Sequence, residues 1–99
     1  MANVNQTLKQ RNKTHGSFET HAMLSQQLKN ACRNHNTGKE KYPFYSLDAV
    51  QVEGLEMILH KVARILNGDP NESDHWHDIA GYASLVDTHC LELTDGKEK

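Results

Sequence analysis

The sequence is poor in the residues that usually announce a chemistry. It has two cysteines, Cys32 and Cys90, on separate expected helices. Two thiols so placed do not supply a structural zinc set, which needs four ligands at short paired spacings. They read as free thiols of a reducing compartment rather than as a disulfide. No apolar run approaches the ~20 residues of a membrane span. The opening stretch MANVNQTLKQRNKTHG lacks the apolar core of a secretory signal. The expectation is a cytoplasmic protein without membrane contact. Excess positive charge is missing too: 11 basic and 13 acidic residues give a net charge of −2. Without a basic stripe there is no electrostatic case for duplex nucleic acid. Glycine-rich phosphate loops, nucleophile elbows and HExxH strings are absent, so no catalytic residue is assigned. The seven histidines show no metal-ligand spacing: His75 and His77 are two apart, and His60 and His89 are distant in sequence. There are no internal repeats and no low-complexity segment.

What is present is helical periodicity. Leu55, Ile58, Leu59, Val62, Ile65 and Leu66 fall on one stripe of a first helix. Asn67-Gly68 is read as its stop, with Gly68 in the left-handed conformation and Pro70 unable to continue. Ser73 or Asp74 is placed to cap a second helix, whose stripe is Trp76, Ile79, Ala80, Ala83, Val86 and Cys90. Ala80, Gly81 and Ala83 are small enough for another helix to approach closely. A turn this short makes the two helices antiparallel neighbours. Leu55, Leu59, Val62, Ile79, Ala83 and Val86 are the expected core.

Upstream, Ser17 can cap a helix from about Phe18 to Cys32. Its stripe includes His21, read as a partly buried structural histidine, and it supplies the cover a lone hairpin needs. Tyr42-Pro43-Phe44-Tyr45 is read as a strap over the end of the core, or as an aromatic wall for a base. Ser46 or Asp48 can cap the helix that follows. Residues 1–16 are expected as a flexible segment and loop, 17–92 as one helical domain, and 93–99 as a loose polar tail. The fold class is all-α: a small bundle of three main helices, near residues 17–33, 48–67 and 74–91, with a central antiparallel hairpin. Apolar residues make up only 36% of the chain, and small polar domains often gain stability by association. A homo-oligomer is therefore expected.

Opposite the apolar stripe of the first hairpin helix lie Glu53, Glu56, His60 and Arg64, with Lys61 at the edge. Asp74, Asp78, Tyr82 and His89 lie opposite the stripe of the second. These are either two solvated faces or the walls of a polar cleft. Upstream, His15 and Gly16 sit just before a helix N-terminus. Glycine lets the backbone approach a ligand there, and free amides can bind phosphate; the alternative is a simple turn and cap.

The stretch from Glu53 to Leu85 resembles a family of small helical proteins of phages and prophages. The matching residues are Glu53, Lys61, Arg64, Asp74, Trp76 and Asp78, then Ile79-Ala80-Gly81-Tyr82-Ala83. A second match covers Lys13-Thr14-His15-Gly16 and Phe18. More distantly, the hairpin is similar to the MazG-like all-α nucleoside triphosphate pyrophosphohydrolases. That resemblance implies a multimer, a nucleotide ligand and Mg2+ held by acidic pairs on two helices. Glu53 and Glu56 match the first pair in spacing. Asp74 and Asp78 are four apart, not three, and match the second pair poorly.

The resemblance points to Glu53, Glu56 and Asp78 as metal ligands. His15, Gly16, Lys61, Arg64, Asp78 and Tyr82 are the expected ligand-binding residues. Register works against the metal. With a turn near Pro70, Asp78 lies level with Lys61 and Arg64, and Glu56 with Leu85. The acids are then offset by ~9–12 Å at 1.5 Å rise per residue, too far for one Mg2+. Three functions stay open: a magnesium-dependent pyrophosphohydrolase, a sponge for a nucleotide or cyclic-nucleotide immune signal, and an oligomeric interaction module with its acids paired internally.

Overall fold

Four α-helices, not three, are present among the described residues. A computed structural model describes residues 4–98, the side chains of residues 11, 12 and 95–98 excepted. Helix α1 spans Val4–His15, α2 Phe18–Asn34, α3 Ala49–Asn67 and α4 Ser73–Glu98, with a short 3-10 turn at Phe44–Ser46. Strands are absent among the described residues, as the periodicity requires.

The predicted helix starts are those of two caps. Ser17 accepts from the amide of Thr20 at the head of α2. Asp48 accepts from the amide of Gln51, and the Gln51 side chain answers the Asp48 amide, a capping box that opens α3. At the head of α4 it is Glu72, rather than Ser73 or Asp74, that accepts an early amide, from Asp74 at 3.4 Å.

The two ends of the chain depart from expectation. Residues 4–15 are helical where a loose segment and loop were expected. They carry only Val4 and Leu8 as large apolar residues, both exposed, so no stripe betrays the helix. Lys13 and His15 in its last turn favour the carbonyl end. Gly16, at φ 76°, stops it in the left-handed region. At the other end α4 continues through the polar tail to Glu98.

α3 is the central element. It packs against α4 on one flank and α2 on the other, and α2 and α4 make no substantial contact with each other among the described residues. The register of the hairpin is antiparallel: Lys61 meets Asp78, Gly54 meets Val86, and Asp48 meets His89. Small size at the helix crossing comes from Gly54 on α3, where an added Cβ would run into Val86. Ala80, Gly81 and Ala83 are exposed instead, with open space around Gly81.

The expected core needs the same correction. Because α3 has neighbours on its flanks, its buried residues are Gly54, Lys61, Ala63 and Ile65. Leu59, Val62, Ile79 and Val86 are half-buried, and Ala83 is exposed. Leu55 is 41% exposed and Leu66 67% exposed. The third side of α3 is thus apolar and left uncovered by the described residues. His21 is buried as expected, and in the strap only Phe44 is buried. No described helix is long and apolar enough to cross a membrane.

Candidate functional site

Four of the six expected ligand-binding residues lie on the hairpin, Lys61 and Arg64 on α3 and Asp78 and Tyr82 on α4. Lys61 is 8% exposed, and its ammonium lies 2.8 Å from the Asp78 carboxylate. A buried ammonium needs such a partner. In return, Lys61's hydrogen bond and charge hold the Asp78 carboxyl below the usual carboxylate range. This is the pairing that the hairpin register implies. Tyr82 lies one turn beyond Asp78 and borders two shallow grooves. One, of about 360 Å3, includes Asp78, Gly81 and Ser84. The other, of about 350 Å3, is lined by Val50, Glu53, Leu85 and Val86 and is largely apolar.

The expected metal ligands are not gathered. Glu56 lies 3.0 Å from Arg33 of α2, Asp78 is engaged by Lys61, and Glu53 is exposed. Among the described residues no three His, Cys, Asp or Glu side chains form a group that could hold a metal ion. In a single chain these acids fit ion pairs and do not fit a Mg2+ cage, which takes its ligands at ~2.0–2.1 Å.

His15 and Gly16 sit elsewhere, at the turn between α3 and α4. There the corner between α1 and α2 is pressed onto the hairpin turn. The Thr14 carbonyl accepts from the amide of Asp69 at 3.1 Å. It also lies 2.8 Å from Nε2 of His75, so that nitrogen carries the proton. His75 is 1% exposed and its ring lies 4.9 Å from that of His15. A Cβ on Gly16 would strike the Asn67 carbonyl, and one on Gly68 would strike the Thr14 carbonyl. Gly68 has φ −121°, outside the left-handed region. Its role is close backbone approach rather than helix reversal. Gly16 and His15 are thereby parts of a clamp. The N-terminal donors of α2 are partly used by Ser17.

Sequence reasoning missed the contacts of three histidines. His75 belongs to the clamp. His21 of α2 and His60 of α3 meet edge to face, 4.5 Å between ring centres and 85° between planes. Burial first, then Arg64, Lys29 and Lys61, push the His21 ring below its ordinary value. The same causes, with His21 itself, push His60 down to about 4. Both rings are therefore neutral at pH 7. Nδ1 of His21 is buried without a hydrogen-bond partner, as is Oγ of Ser25 one turn along α2. The contact depends on how α2 crosses α3, which helix order alone does not give.

No curated protein matches the chain, and neither does any solved structure. A family match does exist, and it runs over residues 1–89. That range takes in α1, its corner, α2, all of α3 and α4 as far as His89, hence both the clamp and the polar seam. The chain belongs to this family, a domain of unknown function designated DUF6378.

Proposed function

We propose that the chain binds a nucleotide or nucleotide-derived anion along the polar side of the α3–α4 seam. Lys61 and Arg64 would hold phosphate, Lys as a point charge and Arg through its planar fork. Asp78 would fix the Lys61 ammonium. Tyr82 and the apolar groove beside it would take the base, because an aromatic face stacks on any base. The observation that carries this reading is local charge. In a chain of net charge −2, the buried Lys61 ammonium is held 2.8 Å from Asp78, one turn from Tyr82 and its two grooves.

Binding without turnover is the form we favour. Both Glu56 and Asp78 are already matched with cations, Arg33 and Lys61. Hydrolysis by a Mg2+-dependent pyrophosphohydrolase would need these pairs to open, or carboxylates from a second copy. Sequestration of a nucleotide or cyclic-nucleotide signal requires neither.

The test is a thermal-shift screen of mono-, di-, tri- and cyclic nucleotides, with and without magnesium, since a ligand of the native state raises its melting temperature. Recovered ligand should be intact. Arg64→Ala should weaken binding by ~1.5–3 kcal/mol, the worth of a charge-assisted hydrogen bond. Glu53→Gln should leave binding unchanged. Turnover that needs magnesium and is abolished by Glu53→Gln would establish the hydrolase instead. No shift with any nucleotide would leave an interaction module.

A further inference from the structure

The two sides of the α3–α4 seam differ in charge. The helices touch at Gly54 and Val86, and a groove runs along each side of that contact. The first groove, of about 370 Å3, is lined by Leu47, Gln51, Leu55 and Ile58 before α4 contributes Ala83. None of these is charged, and Val62 and Leu66 continue the α3 row at intervals of four. The second groove holds Glu53 and Tyr82, with Asp78 and its Lys61 partner one turn away. Leu55, Leu66 and Ala83 are exposed, and contiguous apolar surface of this kind marks an interaction site.

The chain as a whole is short of cover. It presents 7381 Å2 to solvent, whereas a folded monomer of 11.2 kDa presents roughly 5,700 Å2. Its radius of gyration is 16.7 Å, against ~13 Å for a compact domain of this length. Among the described residues the buried apolar side chains are Phe44, Ala63 and Ile65, too few to close a core without association. The excess of about 1,700 Å2 is roughly twice what a standard interface hides on each partner. Every copy has the same deficit, so one isologous contact closes both at once. Interface centres are depleted of charge, which selects the Leu55 side over the Glu53 side.

We propose that two copies pair face to face through the side of the seam that holds Leu55 and Ala83, about a two-fold axis. Each copy then keeps Lys61, Asp78 and Tyr82 on the outside of the dimer, where acids of the other copy do not reach. The dimer offers two separate polar seams, each complete within one chain. The pairing does not rest on the nucleotide reading. It does remove the second-copy carboxylates that hydrolysis at the seam would need.

Ala83→Glu and Leu85→Glu put the same charge on the two sides of this contact. Both positions are exposed and glutamate is a good helix former, so α4 should stay folded. Light scattering at high micromolar concentration should give twice the 11.2 kDa chain mass for the wild type and for Leu85→Glu, and the single mass for Ala83→Glu. On dilution of the wild type, methyl resonances of Leu55, Ile58 and Val62 should shift while those of Leu85 stay. That measurement decides alone if Ala83→Glu does not fold. A wild-type monomer overturns the pairing and gives the face to a different partner. Loss of mass in Leu85→Glu but not in Ala83→Glu overturns the choice of side. Nucleotide binding is read separately by thermal shift, so its failure leaves the pairing standing.

Discussion

One substitution, made at two glycines, should have opposite effects. Gly54 is buried in the middle of α3 and faces Val86; Gly81 lies in the exposed middle of α4. Alanine is favoured over glycine in a helix interior by ~1 kcal/mol. At Gly81 nothing lies within 4 Å of an added Cβ, so Gly81→Ala should realise most of that gain. At Gly54 the new methyl would meet Cγ2 of Val86. Valine is stiff at χ1 in a helix, so relief must come from the α3–α4 spacing. Overpacking of this kind costs ~1–3 kcal/mol. Set against the propensity gain, Gly54→Ala should lose up to about 2 kcal/mol. The two variants should therefore differ by roughly 1–3 kcal/mol. Equilibrium urea unfolding followed by far-UV circular dichroism measures this directly. The double variant Gly54→Ala, Val86→Ala should recover part of the loss relative to Val86→Ala alone, because neighbours couple. A Gly54→Ala protein as stable as Gly81→Ala would refute the close helix contact and the register that creates it.

Other predictions follow from single contacts. His21 and His60 are neutral in the fold and protonate more easily when unfolded, near 6.5. Stability should be full above about pH 6.5 and fall as pH drops toward about 4. The loss should be on the order of 1–2 kcal/mol after solvent screening, and a flat urea midpoint between pH 7 and pH 4.5 would reject it. Glu56→Gln breaks the half-exposed bridge from α3 to Arg33 and should cost about 0.5–1 kcal/mol; a loss several times larger would mean that α2 depends on that pair. Light scattering should give a mass above the 11.2 kDa monomer, with a second copy over the apolar side that holds Leu55 and Leu66. Leu66→Glu should then lower that mass, whereas a wild-type monomer at high micromolar concentration would reject the association.

Local chemistry was legible where it acts locally. Caps at Ser17 and Asp48 depend on a side chain reaching an amide three residues away, and the sequence contains both partners. Hairpin register followed from the turn length and helix rise, and it brings Lys61 to Asp78. α1 was not legible because Val4 and Leu8 define no stripe. Short helices of this kind are marginal alone; this one ends in the Thr14 contact with Asp69 and His75. The core of α3 was misplaced for a related reason. An apolar stripe says which residues avoid water, but not where the neighbours stand. With α2 and α4 on the flanks, Ala63 and Ile65 are buried while Leu55 and Leu66 remain open.

The candidate site divides the same way. Lys61, Arg64, Asp78 and Tyr82 lie on two adjacent helices, so helical spacing and one turn suffice to group them. The histidine contacts join helices distant in sequence: His21 with His60 across α2 and α3, and His15 with His75 across α1 and α4. No periodicity within one helix can predict a ring contact between two. The glycines make the point most sharply. Gly68 was read as the left-handed stop, yet of the two glycines at this corner it is Gly16 that has positive φ. Both are needed for one backbone contact, in which each lacks the Cβ that would strike the other's strand of chain at Asn67 or Thr14. The two stretches that carried the family resemblance, 13–18 and 53–85, therefore meet at the hairpin turn. A clamp at that turn fixes the end of α3 on which Arg64 stands.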